Sequence, residues 1–117
     1  MRCYKDEHLE IDPARGLVFL DSRRMVLTRK EYELLLMLAE NAGEILPREV
    51  LMMQVWGYSK EIRTRTLDVH IRRLRRKLGQ HGELYIETIF GVGYRFQRYR
   101  QPRPAESFLS PLVAATA

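Results

Sequence analysis

Cysteine is almost absent. Cys3 stands alone among 117 residues, so the chain holds neither an internal disulfide nor a cysteine-based zinc site, and a reducing, cytoplasmic setting is expected. Long apolar runs are missing too. The longest, Leu34-Leu35-Leu36-Met37-Leu38-Ala39, falls far short of a bilayer span. Met1–Leu20 scatters charges without any apolar stretch, which argues against a secretory signal. Catalytic constellations are equally scarce. The histidines at 8, 70 and 81 lie far apart in sequence, His8 and His81 read as surface residues, and no Ser/His/Asp or Cys/His setting is visible. Gly91-Val92-Gly93 lacks the strand–Gly-x-Gly-x-x-Gly–helix context of a nucleotide site, and no cluster has metal-ligand spacing. No enzyme, cofactor, metal site or membrane partner is expected.

What the chain does have is ordinary globular material: 45% apolar and 30% charged residues, enough for one core. Its charge is uneven. Residues 1–59 carry 8 basic and 10 acidic side chains, whereas residues 60–117 carry 12 basic and 5 acidic. Within Lys60–Leu78 the balance is 8 basic against 2 acidic, so this segment holds +6 of the net +5 and the rest sums to −1. Solvated helix faces usually interleave both signs. A one-signed stripe on a near-neutral body is the footprint of a polyanion-binding surface.

The first 27 residues read as short strands. His8–Asp12 alternates polar and apolar, Asp12-Pro13-Ala14-Arg15-Gly16 turns the chain, and Leu17–Leu20 is rich in β-formers. Asp21-Ser22-Arg23-Arg24 turns it again before Met25-Val26-Leu27, and Arg2–Lys5 adds one more strand. Connections this tight require antiparallel pairing.

Three helices are predicted next, over about 28–78. Thr28-Arg29-Lys30-Glu31 has the form of a capping box, followed by Tyr32, Leu35, Leu36 and Ala39 on one face, with a stop at Asn41-Ala42-Gly43. Pro47 suits the first turn of a second helix, Pro47–Trp56, closed by Gly57. In the third, about Thr64–Leu78, the residues Leu67, Ile71, Leu74 and Leu78 fall within about 60° on a helical wheel and must be buried. Arg65, Val69, Arg72 and Arg76 lie opposite, with Thr66 and Arg73 flanking them. Such a helix suits a nucleic-acid groove. An alternating strand from Leu84 to Ile89, a turn at Phe90–Gly93 and a return strand Tyr94–Gln97 then form a hairpin within 84–97. Residues 1–99 read as one α+β domain and residues 100–117, with Pro102 and Pro104, as a disordered tail.

The order helix, helix, loop, basic helix, hairpin is that of a winged helix-turn-helix. Val55-Trp56-Gly57, the run Arg65–Leu78, and Gly91-Val92-Gly93-Tyr94-Arg95-Phe96 together resemble the OmpR/PhoB-type effector domain of bacterial two-component response regulators, over about His8 to Gln97. The resemblance implies a transcription factor that binds double-stranded DNA, with the third helix in the major groove and the hairpin wing near the minor groove. Phosphate contacts position such a protein and base-edge contacts carry the sequence information.

Carried onto this chain, the resemblance makes Arg73 a base-reading arginine and Val69 and Thr66 contacts to thymine methyls. Arg65, His70, Arg72, Arg75, Thr88, Tyr94 and Arg95 become backbone contacts, with Arg76 added from the wheel and Arg98 within reach of phosphates. Trp56 would hold its indole N–H near a phosphate. Core packing is the other reading of Trp56, as a boundary position is of His70. Residues 57–63 correspond to a loop facing RNA polymerase, with Tyr58, Lys60, Glu61 and Ile62 as its candidates. The wing departs from the family pattern: where many relatives carry a minor-groove arginine, two residues after Thr88, this chain has Phe90.

Nothing before His8 could hold a receiver domain. An isolated effector domain of a longer regulator is therefore expected, monomeric alone and dimeric on direct repeats about one helical turn apart. The receiver and its sensor kinase are implied but absent from this chain. Two other readings remain: sequence-independent nucleic-acid binding, and a protein-interaction module whose basic helix meets an acidic partner.

Overall fold

A computed structural model describes residues 3–57 and 64–99. It opens with a four-stranded antiparallel sheet in sequential order, β1 (Tyr4–Lys5), β2 (Leu9–Asp12), β3 (Leu17–Leu20) and β4 (Arg23–Arg24). The last turn is tighter than the sequence suggested. Asp21 and Ser22 alone form it, both with positive φ (50° and 66°), so Arg23 already pairs with Leu20. Such a two-residue turn matches the twist of the flanking strands. Met25–Leu27, expected as a strand, runs on without strand pairing beyond one Met25 N–H bond to the Val18 carbonyl.

Helix α1 (Arg29–Glu40) starts on the expected capping box. The Glu31 N–H donates to Thr28 Oγ1 and the Thr28 N–H donates to Glu31 Oε1. Its inward face is rotated slightly from the expected one: Leu34, Leu35, Leu38 and Ala39 are buried, while Tyr32 and Leu36 pack at the margin. Between α1 and α2 (Arg48–Trp56) lies an unexpected strand, β5 (Ile45–Pro47). Pro47 is thus the cap before α2 rather than its first residue. Three residues carry too little pattern to announce a strand, and proline is tolerated because it has no ladder N–H to lose at an edge.

Helix α3 (Thr64–Lys77) buries Leu67, Ile71 and Leu74, with Leu78 just beyond, all at most 1% exposed. Each such side chain contributes roughly 1.5–3 kcal/mol of burial. A 3-10 turn (Gly79–His81) and a one-turn helix α4 (Gly82–Tyr85) follow. Leu84 and Tyr85 therefore sit in helical geometry, and the hairpin starts later than expected, as β6 (Ile86–Ile89) and β7 (Gly93–Phe96). The second sheet has the order β5-β7-β6, all antiparallel. Gly93 is required where β5 and β7 cross closely, since a Cβ there would stand 2.0 Å from the Leu46 carbonyl oxygen.

One core joins both sheets and the helices. Tyr85 stacks on Phe96 at 5.6 Å, and Tyr4 meets Phe96 edge-on at 5.5 Å. Asp6 ties the sheet to α4: its carboxylate accepts from the Tyr4 and Tyr85 hydroxyls and from the His8 and Leu9 N–H groups. Among the described residues no helix is long and apolar enough to cross a membrane.

Candidate nucleic-acid interface

Helix α3 is held in place by three of its own charged side chains. Asp68 accepts from Arg48 of α2 at 2.6 Å and from the Tyr94 hydroxyl of the wing at 2.6 Å. Arg75 reaches the other wing strand, donating through Nε and Nη2 to the Ile86 carbonyl and through Nη2 to Thr88 Oγ1, with its guanidinium 5.7 Å from the Tyr94 ring centre. Lys77 donates to the buried Glu31 carboxylate of α1. Inward leucines therefore set the depth of the helix, and these polar ties set its rotation against the wing.

The ties also explain the electrostatics. Hydrogen bonding to Arg48 holds the Asp68 carboxyl below its ordinary value despite partial desolvation, with help from Tyr94 and from the charges of Arg48 and Arg72. Asp68 is the single acidic residue of α3, and its direct ion pair is with Arg48 rather than with an arginine of its own helix. Burial and the Asp68 contact push the Tyr94 hydroxyl up.

What remains outward is a row of free guanidinium groups. Arg65, Arg72, Arg73 and Arg76 are exposed, and among the described residues none has a hydrogen bond or ion pair. Thr66 and Val69 lie half-buried between them. An unpaired cationic row of this length repels itself in the free protein, so its natural counter-charge is external.

Several residues expected at the backbone of a bound duplex are engaged within the protein. The Tyr94 hydroxyl is committed to Asp68, and Tyr94 itself is buried. Arg95 makes a bidentate pair with Glu87 directly across the wing, and Gln97 donates to the same carboxylate. Arg75 and Thr88 bond to each other. His70 donates from Nδ1 to the Thr66 carbonyl and meets the Trp56 ring edge-on at 4.9 Å, both side chains half-buried. Arg98 lies over the Tyr4 ring, 5.4 Å from its centre. Sequence reasoning did not find Arg48, Asp68 or Glu87. An acidic residue isolated inside a basic helix was the one available signal, for Asp68. Tyr58, Lys60, Glu61 and Ile62 lie outside the described residues, as do residues 100–117.

At the wing tip Phe90 is 91% exposed and Val92 43% exposed. The turn is closed by the Val92 N–H on the Ile89 carbonyl, and the Val92 carbonyl accepts from Arg48 N–H.

Comparison with known proteins agrees with this architecture. Residues 22–96 match the family described as "Transcriptional regulatory protein, C terminal". The transcriptional regulatory protein SrrA of Staphylococcus aureus is 40% identical over 103 residues, covering 86% of this chain and 43% of SrrA. The chain thus spans less than half the length of that relative. Among solved structures, the response regulator DrrB of Thermotoga maritima, an OmpR/PhoB homologue, superposes with a TM-score of 0.75 at 38% identity, covering 82% of this chain and 44% of DrrB. The RstA DNA-binding domain of Klebsiella pneumoniae, solved in complex with the RstA box, gives 0.73 at 30% identity, covering 83% of this chain and 98% of that one. The match over most of the described residues, with the sheet–helices–wing order of these relatives, means that this chain belongs to the C-terminal domain family of transcriptional regulatory proteins and has their OmpR/PhoB-type winged helix-turn-helix fold.

Proposed function

We propose that this chain binds double-stranded DNA sequence-specifically, as the effector domain of a transcriptional response regulator, with α3 in the major groove and the wing near the minor groove. The observation that carries the reading is the outer face of α3: Arg65, Arg72, Arg73 and Arg76 are exposed and unpaired among the described residues, while every other charged side chain described on that helix is anchored inward. The similarity to an RstA domain solved on DNA supports the same geometry.

In this reading Arg73 donates to a guanine edge, Thr66 and Val69 meet thymine methyls, and Arg65, Arg72 and Arg76 contact phosphates. Arg75, Thr88, Tyr94 and Arg95 serve chiefly to set the wing against α3, because their polar atoms already have partners. Trp56 and His70 flank the phosphate path as a packed pair. The unit is the domain 1–99, monomeric alone and paired on direct repeats. Its cytoplasmic setting, the polymerase-facing loop 57–63, and control by a receiver domain and sensor kinase belong to the same proposal. Nothing in this mechanism requires catalysis.

Selection of bound duplexes from a random pool at moderate salt tests it. A defined motif, repeated about one helical turn apart, is expected. A pool that stays random, or full displacement by unrelated duplex, points to sequence-independent binding, and negligible duplex affinity at low salt points to a protein partner.

A further inference from the structure

His8 and His81 stand 73 positions apart in the chain, yet their imidazoles stack with centres 4.2 Å apart. Asp21 joins them: its Oδ1 lies 2.5 Å from His8 Nδ1, and one ligand atom from each of the three residues lies within 4.8 Å of the other two. The Tyr99 ring lies edge-on to both imidazoles, at 4.5 and 5.7 Å. One feature of the cluster is unsatisfied. His81 Nδ1 is shielded from solvent and has no hydrogen-bond partner. Buried polar atoms are nearly always paired, and an orphan on an imidazole that stacks against a second one points to a partner supplied from outside the chain.

We propose that His8, Asp21 and His81 form a binding site for a divalent transition-metal ion of the zinc class. Two imidazoles and a carboxylate are the donor set such ions prefer, whereas calcium and magnesium favour oxygen ligands throughout. With bonds of about 2.0–2.1 Å, tetrahedral ligand atoms sit roughly 3.3 Å apart, so the widest pair must close by roughly 1.5 Å at most while the 2.5 Å contact between His8 Nδ1 and Asp21 Oδ1 opens by under about 1 Å. Side-chain rotation covers that distance. Three protein ligands leave a further position for water.

The backbone is already set for this. Asp21 sits in the positive-φ turn of the β3–β4 hairpin, and its N–H donates to the His8 carbonyl, which fixes the two turns side by side. His81 ends the 3-10 turn that follows α3. The ion would therefore fasten the N-terminal sheet to the end of the helix that carries the arginine row. Because the ligands come together only in the folded chain, binding stabilises the fold.

The test uses the whole chain without DNA, titrated with Zn²⁺ by calorimetry and with Co²⁺ by visible absorption. One equivalent of metal is expected, with a cobalt ligand-field spectrum of low coordination number. At zinc about a hundredfold above Kd, the thermal midpoint should rise by on the order of 10 °C. His8→Ala and His81→Ala should each weaken binding at least about tenfold and abolish the midpoint shift, whereas Cys3→Ser should change neither. Circular dichroism spectra matching the wild type would establish that the variants fold. Wild-type affinity no greater than that of the His8→Ala/His81→Ala double variant, or loss of binding in Cys3→Ser alone, overturns the proposal. DNA selection and metal titration are read separately, so either result stands without the other.

Discussion

Lys77, the last residue of α3, places its ammonium 2.5 Å from Glu31 Oε1, the same oxygen that accepts the Thr28 N–H in the capping box of α1. Glu31 is 1% exposed and Lys77 about a third exposed along its side chain. One carboxylate thus closes a helix start and anchors the basic helix. Lys77→Met leaves that charge buried without its partner. The partial exposure of Lys77 moderates the cost, which should be about 1–3 kcal/mol by chemical denaturation, with m unchanged.

Acid should expose the same tie. Burial works to raise the Glu31 pKa, but the bonds from Lys77 and Thr28 outweigh it and hold the carboxyl below its ordinary 4.5. Asp6, with four donors opposing its desolvation, and Asp68, beside Arg48, are held below 3.8 in the same direction. A carboxyl that binds its proton less readily when folded stabilises the fold fully above its unfolded pKa and loses that contribution as pH falls through the folded value. The contribution of these three carboxylates should therefore be complete above about pH 5 and be lost steeply below pH 4. Glu31→Gln should make the fall shallower, and an identical acid profile would remove Glu31 from this account.

Arg73 and Arg72 are both exposed, but they differ in their predicted partners. Arg73→Ala should cost about 1–3 kcal/mol on a selected site and relax one base preference. Arg72→Ala should weaken all sequences alike and lower the salt slope by about one. Equal losses on every duplex for Arg73→Ala would make it a phosphate contact.

Arg75 separates a structural role from a binding one. Its bonds to Ile86 and Thr88 predict that Arg75→Ala lowers fold stability by about 1–3 kcal/mol while leaving the salt slope of DNA binding unchanged. A slope reduced by about one at unchanged stability would place Arg75 on the phosphate backbone after all.

Phe90 touches little in the free protein. Phe90→Ala should thus change stability by no more than about 0.5 kcal/mol. Phe90→Arg should raise affinity for sites flanked by narrow, A-tract minor grooves, which attract inserted arginines. Unaltered flank preference in both variants would keep the wing tip out of the groove.

Where periodicity was long, the chain announced its own structure. The leucine stripe of α3, the Thr28–Glu31 capping box and the alternation of β2 all act between near neighbours, and their chemistry is readable in order. The opposite arginine face and its excess charge were legible for the same reason. The short strands β1 to β3 were legible between their turns, but two other short elements were not. Strand β5 exists because β7 lies beside it, and the last turn of α4 replaces the first two residues expected in the wing. Pairing depends on distant backbone, which no local pattern encodes.

The same division runs through the candidate sites. Sequence alone determined that one helix is apolar on one side and cationic on the other. Only the tertiary structure decided which cations stay free: Asp68, Glu31, Glu87 and the Ile86 carbonyl claim Arg48, Lys77, Arg95 and Arg75. It also brought His8, Asp21 and His81 together from three separate turns. Residue identity sets what a side chain can bind. Packing sets what stands within its few ångströms of reach, and at that range a folded partner saturates it before any ligand arrives.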